Sequence, residues 1–85
     1  MNAYKFTGLD GSWSIILSPD EFAASELFQS DNNICESDIS NIEKLSLNTR
    51  IPNVYTEKKS TIAEMAESIT FFPRCILDSE DLQNK

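Results

Sequence analysis

The N-terminal residues have the pattern of a β-hairpin, and this pattern constrains the fold more than any other part of the sequence. Two runs rich in aromatic and aliphatic residues, at about 3–8 and 13–18, flank the dipeptide Asp10-Gly11. Asp-Gly favours a tight type I′ turn between two antiparallel strands. We therefore predict a hairpin over about residues 3–18.

The same turn predicts a register for the hairpin. A two-residue turn places Phe6 opposite Ile15 and Tyr4 opposite Leu17, so the large apolar side chains of both strands share one side. Lys5 and its polar neighbours fall on the other side. We expect helices to cover the apolar side.

Two helices have start signals in the sequence. Residues 18–21 read Ser-Pro-Asp-Glu, which supplies a cap, a proline for the first helical turn and an acidic residue three positions after the cap. Thr61 and Glu64 repeat the capping-box spacing ahead of a run with helical periodicity. These patterns predict helices over about 19–29 and 61–70.

A third helix is predicted from spacing alone. Ile39, Ile42 and Leu45 recur every three residues. Side chains at this spacing drift only slowly around the surface of a helix, so we predict a helix over about 38–46. The segment 48–59 has neither helical nor strand periodicity over any length, and we expect a loop or an irregular edge there.

The C-terminal part has one more apolar run. Residues 71–77 can pair with the hairpin as a third strand, and Pro73 restricts such a strand to an edge of the sheet or to its own first residues. Residues 78–85 have the composition of a frayed acidic tail. The sequence therefore predicts one α+β domain over 1–85, in which the hairpin packs against two or three helices.

The sequence lacks the residues that most catalytic mechanisms require. The chain has no histidine, the commonest general base and metal ligand. Its two cysteines, Cys35 and Cys75, form neither a zinc set nor a redox pair, and its two glycines cannot build a phosphate-binding loop. We expect a protein that is not an enzyme and that binds no metal and no cofactor, with both cysteines reduced.

The charge is divided unevenly along the chain. Eight acidic residues between Phe6 and Glu43 have no Lys or Arg among them, whereas the rest of the chain has six acids and seven bases. The net charge of −7 opposes direct binding to nucleic acid or to an anionic membrane. Because the N-terminus lacks the pattern of a signal peptide and no run is long enough to span a membrane, we expect a cytoplasmic protein.

Half of these eight acids have no local structural role. The other four fall in the predicted turn or in first helical turns, where negative charge is favourable. The remaining four are predicted to bind a partner with a basic surface, such as a nuclease or another protein that acts on nucleic acids: Glu26, Asp31, Glu36 and Glu43. In charge alone the pattern is similar to nuclease-immunity proteins and to phage-encoded inhibitors of host defence nucleases.

A second hypothesis places the contact on apolar residues. Tyr55, Phe71, Phe72 and Arg74 are of the types that dominate interface hot spots, although we expect at least one of the two phenylalanines in the core. On this interpretation the protein is a small structural or adaptor subunit, or a homodimer, and its acidity serves solubility.

Overall fold

A computed structural model of the chain describes residues 1–53 and 58–80. Over these residues the chain forms two antiparallel sheets and two α-helices, so the α+β class is confirmed. The structure contains more strand than the sequence predicts. The elements are β1 (Asn2–Gly8), β2 (Trp13–Ser18), α1 (Glu21–Asn32), β3 (Ile39–Leu45), β4 (Arg50–Asn53), β5 (Lys58–Thr61), α2 (Ile62–Glu67) and β6 (Arg74–Asp78).

The main sheet has four strands in the order β3-β1-β2-β6, and every neighbouring pair is antiparallel. The predicted hairpin forms its centre. The smaller sheet consists of β4 and β5. No helix among the described residues is long and apolar enough to cross a membrane.

The predicted register of the hairpin is wrong by one residue. Lys5 lies opposite Ile15 and Ala3 lies opposite Leu17. The cause is the turn, which has three residues between the paired Gly8 and Ser12 and only Gly11 at positive φ (+89°). A type I′ turn needs two residues at positive φ, whereas a three-residue loop needs one, at its last position.

This register places apolar side chains on both faces of the sheet, because a shift of one residue moves every side chain of a strand to the opposite face. On one face Tyr4, Phe6 and Ile16 pack against α1. On the other face Ile15 and Leu17 pack against a second layer that contains α2 and β4. The main sheet is therefore the middle of three layers.

Helix α1 confirms the helix predicted at 19–29 and continues three residues beyond it. Its cap is Asp20 rather than Ser18: a carboxylate oxygen of Asp20 accepts a hydrogen bond from the Ala23 amide at 2.8 Å. Phe28 is buried and stacks on Phe6, with 5.4 Å between ring centroids. Phe22 points away from the sheet and is 73% exposed.

The helix predicted at 38–46 is wrong, because these residues form β3 on the outer side of β1. The register between the two strands shifts by one residue at Ser40, a β-bulge. The extra residue brings both Ile39 and Ile42 to the α1 face, because they lie opposite Gly8 and Phe6. The bulge thus accounts for the spacing of three between Ile39 and Ile42, whereas Leu45 lies opposite Ala3 and belongs to the other face.

The helix predicted at 61–70 is confirmed in its position, although α2 ends at Glu67. The capping box is present: Thr61 Oγ1 accepts from the Glu64 amide at 3.2 Å, and Glu64 Oε1 accepts from the Thr61 amide at 3.2 Å. The bond from the Thr61 amide, and then a bond from the Thr61 hydroxyl to the same oxygen at 3.0 Å, hold the pKa of Glu64 below its usual range. The loop expected at 48–59 is wrong in part, since it contains β4 and β5.

The third strand predicted at 71–77 is confirmed as β6, an edge strand beside β2. Pro73 immediately precedes it, as the restriction on proline requires. Asp78, which the sequence assigns to an acidic tail, is the last residue of this strand. Residues 81–85 of that tail and Tyr55 lie outside the described residues.

The contact between α1 and the sheet predicts the effect of two substitutions in the same helix. Phe28→Ala removes a fully buried ring and is expected to lower the free energy of unfolding by about 3–5 kcal/mol. Phe22→Ala removes an exposed ring and is expected to change it by no more than about 0.5 kcal/mol. Urea denaturation followed by circular dichroism measures both. Equal losses would contradict the packing of α1 described above.

Candidate functional site

The end of the main sheet that contains the hairpin turn collects parts of the chain that are distant in sequence. Strand β2 runs away from the turn, and α1 then returns along the sheet, so Asn32 borders the same depression as Gly8 and Leu9. Strand β6 runs antiparallel to β2, which places Asp78 opposite Ser14 at this end. The turn, the end of α1 and the end of β6 therefore meet.

The turn itself is held by side-chain hydrogen bonds. Asp10 Oδ1 accepts from the Ser12 hydroxyl at 2.6 Å and from the Ser12 amide at 3.0 Å. These bonds, the hydroxyl first, lower the pKa of Asp10 below its usual range. The Leu9 amide donates to the Asp38 carbonyl at 2.9 Å and ties the turn to the start of β3.

The residues after α1 are fixed in a similar way. Asn33 adopts the left-handed conformation (φ 53°), and the Ile34 amide donates to the Gln29 carbonyl at 3.0 Å, which ends the helix. Asp38 Oδ2 then accepts from the Cys35 amide at 3.0 Å. The acids of this segment are consequently presented from ordered backbone.

The C-terminal part of the site is attached to the hairpin. The Trp13 amide donates to Ser79 Oγ at 3.2 Å. This contact places Asp78 and Glu80 beside Asp31, the three carboxylates bordering one small polar depression. Acids from the base-free first half of the chain and acids from its last residues thus share a surface.

Six carboxylates lie around three adjoining depressions at this end, one of which has a volume of about 310 Å³. No Lys or Arg is among the described residues that border these depressions. We call this surface the acidic end. Its acids are Asp10, Asp31, Glu36, Asp38, Asp78 and Glu80.

The four acids predicted to bind a partner do not share one surface. Asp31 and Glu36 belong to the acidic end. Glu26 is exposed near the middle of α1, borders none of the three depressions and is separated from Asp31 by about 140° around the helix. Glu43 lies opposite Lys5, on the face of the sheet that α1 does not cover.

The residues of the apolar hypothesis do not share one surface either. Phe71 is 64% exposed, and the Arg74 guanidinium lies 5.3 Å from the centre of its ring. Phe72 is half-buried and packs against the core beneath the sheet. The expectation that at least one of the two phenylalanines belongs to the core is confirmed for Phe72.

Sequence reasoning missed five residues of this end: Leu9, Asp10, Asp38, Asp78 and Glu80. It gave Asp10 and Asp38 local structural roles only. Leu9 is 68% exposed and is an apolar contact among the carboxylates. The signal for Asp78 and Glu80 was available, because a third strand antiparallel to β2 must end beside the hairpin turn. No such signal identifies Leu9, whose exposure follows from the three-residue turn.

The acidic side chains and the two cysteines do not form a metal-ligand cluster among the described residues. Within residues 1–53 and 58–80, no group of three or more Asp, Glu or Cys side chains is arranged to hold a metal ion. Both cysteines are free thiols, Cys35 exposed and Cys75 half-buried. Burial first, and then the nearby Asp78 carboxylate, raise the pKa of the Cys75 thiol to about 11.

Comparison with known proteins gives no relative: no family model, no curated protein and no solved structure matches this chain. The function must therefore be argued from the surface itself.

The environment of Cys75 predicts that its thiol is unreactive in the folded protein. At about pH 8 it lies roughly three units below its pKa, so on the order of 0.1% is thiolate, the reactive form. We expect an aromatic disulfide reagent to modify Cys35 at least about tenfold faster than Cys75. Rates measured on Cys35→Ser and Cys75→Ser separate the two thiols. Equal rates in the folded state would contradict the burial of Cys75.

Proposed function

We propose that this protein is a non-catalytic interaction module that inhibits or regulates a larger partner by occupying a basic surface with its acidic end. The observation that carries the proposal is the convergence of six carboxylates from four separate segments, with no Lys or Arg among the described residues that border the same depressions. A surface that carries charge of one sign attracts a partner of the opposite sign and speeds its association.

Two further features of the acidic end support a contact surface. Helix α1 ends there, so the partial negative charge of its C-terminus adds to the field of Asp31, and its last turn has no basic residue. Leu9 presents an exposed apolar side chain next to Asp10 and Asp38. An apolar residue among charges is the composition of an interface centre with a polar rim.

The class of partner follows from the sign and the rigidity of the charges. Proteins that act on nucleic acids carry grooves of Lys and Arg that bind rows of phosphates. Fixed carboxylates have the same sign as phosphates, and Asp10 and Asp38 are fixed by hydrogen bonds. We therefore propose a nuclease or another nucleic-acid-binding protein as the partner, with Asp31 and Glu36 retained as contacts and Glu26 and Glu43 outside the contact surface.

A second candidate function, an adaptor that binds through apolar contacts, has one observation in its favour. Phe71 is exposed beneath the guanidinium of Arg74, and Phe and Arg are enriched at the centres of interfaces. On this hypothesis the carboxylates only maintain solubility, and binding depends on Phe71.

Charge reversal at the acidic end tests the proposal. We expect Asp31→Lys with Glu80→Lys to weaken capture of a basic partner from a lysate of the producing cells by at least about tenfold at low salt, because attraction turns into repulsion. The double variant Glu26→Lys with Glu67→Lys makes the same change in net charge at exposed positions outside the acidic end. It should retain most of the binding. Capture followed by quantitative mass spectrometry measures both.

Competition identifies the surface of the partner that is occupied. If the partner's nucleic-acid-binding groove is the contact, added DNA or RNA displaces the captured partner, and raised salt does the same. Equal binding by the two double variants, or a partner that nucleic acid does not displace, would contradict the proposal.

Substitution of one aromatic residue distinguishes the adaptor hypothesis from binding through the acidic end. Phe71→Ala removes an exposed ring and is expected to leave both the fold and the binding of a basic partner within about twofold of the wild type. A loss of binding of tenfold or more, with stability unchanged in urea, would favour the adaptor hypothesis.

A further inference from the structure

The outer edge of β3 is the longest exposed edge of the main sheet. Strand β3 has seven residues and bonds to β1 on one side, and no strand within residues 1–53 and 58–80 bonds to its other side. Five consecutive residues in its middle are exposed. Such an edge presents unpaired backbone donors and acceptors to a further strand.

The hydrogen bonds of the hairpin determine which groups point outward. The Gly8 amide donates across the turn to β2 at 2.8 Å, so the even-numbered residues of β1 bond to β2 and the odd-numbered residues bond to β3. Their partners on β3 include Asn41 and Glu43. Ile42 lies between these two residues, and Lys44 follows Glu43. The backbone groups of Ile42 and Lys44 therefore point to the free edge.

We propose that this edge binds the β3 strand of a second copy of the chain, antiparallel, with the two-fold axis at Ile42. In this register Ile42 forms a hydrogen-bonded pair with its own counterpart, and Lys44 lies opposite Ser40 of the second copy. The two four-stranded sheets then join into one of eight strands. The inference goes beyond the function proposed for the acidic end, with which it shares the depression bordered by Glu36.

Charge and geometry select this register among the two-fold alternatives. An axis at Glu43 or at Lys44 places like charges directly opposite each other, which is destabilising. With an axis at Asn41, each of the two central hydrogen-bonded pairs joins Ile42 of one copy to Ser40 of the other, and Ser40 is the bulged residue. Only the axis at Ile42 has an undisturbed central pair and no opposed like charges.

A groove beside the edge supplies a charge for the second copy. It is bordered by Glu36, Ile39, Ser40, Asn41 and Ile42. Since Lys44 of the second copy lies opposite Ser40, its ammonium group enters this groove beside Glu36. Because the dimer is two-fold symmetric, this ion pair forms twice. The side chain of Ile42, which is 38% exposed in the single chain, is covered by Ile42 of the second copy.

The layers on either side of the sheet leave room for this contact. Helix α1 packs on β1, β2 and β6, and the core beneath the sheet is formed largely by the same strands. Neither layer covers the outer edge of β3. A second sheet can therefore approach in the plane of the first.

The edge of β6 is a poorer template for a further strand than the edge of β3. Strand β6 has five residues against seven in β3, and it directly follows Pro73, which has no amide to donate. The two-fold pair of β3 strands therefore uses the longer edge of each main sheet.

Sedimentation analysis of the purified chain over a wide range of concentration tests the association. We expect the average mass to rise from that of one 9.6 kDa chain towards that of two. Ile42→Pro removes an outward amide that the monomer does not use, and proline is tolerated on edge strands. It should weaken the dimer at least about tenfold, with the monomer's circular dichroism retained.

Charge exchange provides a test that does not alter the backbone. Glu36→Lys and Lys44→Glu should each weaken the dimer several-fold, and the double variant should restore it, because the pair reforms with reversed signs. Glu67→Lys, a charge reversal at an exposed position on α2 and outside the proposed ion pair, is the control. A single-chain mass at every concentration would overturn the proposal, as would a dimer unaffected by Ile42→Pro and by both single reversals.

Discussion

The three-residue turn between β1 and β2 sets the register of the hairpin, and the rest of the fold depends on that register. Because the paired residues are displaced by one position from a two-residue turn, both faces of β1 and β2 carry large apolar side chains. A sheet that is apolar on both faces must be covered twice. Helix α1 covers one face, and the layer of α2 and β4 covers the other. A short chain thus divides its core between two interfaces, each anchored by few large residues.

The same turn explains where the acidic surface forms. Every segment that reaches it does so because neighbouring elements of the main sheet alternate in direction: α1 returns towards the turn, β3 starts there and β6 ends there. Hydrogen bonds from Ser12 and Cys35 fix Asp10 and Asp38. The fold therefore gathers six carboxylates at one end of the main sheet and holds Asp10 and Asp38 in defined positions.

The acidic end and the outer edge of β3 meet at the depression bordered by Glu36 and by residues 39–42 of β3. An antiparallel pair of β3 strands directs the two hairpin turns to opposite ends of the joined sheet, so the depressions bordered by Asp10 and by Asp31 remain accessible. A dimer of this form presents two copies of one charged surface, and binding to a partner with two basic sites would gain from effective concentration.

Local patterns in the sequence determined the elements whose signals lie in neighbouring residues. The Asp10-Gly11 hairpin, the start of α1, the capping box of Thr61 and Glu64 and the placing of β6 at an edge all follow from side chains that bond or restrict adjacent backbone. Tertiary structure decided what depends on distant segments. The bulge at Ser40 gave β3 a helical spacing, the shifted register moved half of the hairpin's apolar residues to the opposite face, and sheet packing separated Glu43 from Asp31 and brought Asp78 and Glu80 beside it. The physical reason is that short-range hydrogen bonds fix an element by itself, whereas its neighbours are selected by the burial of apolar surface over the whole chain.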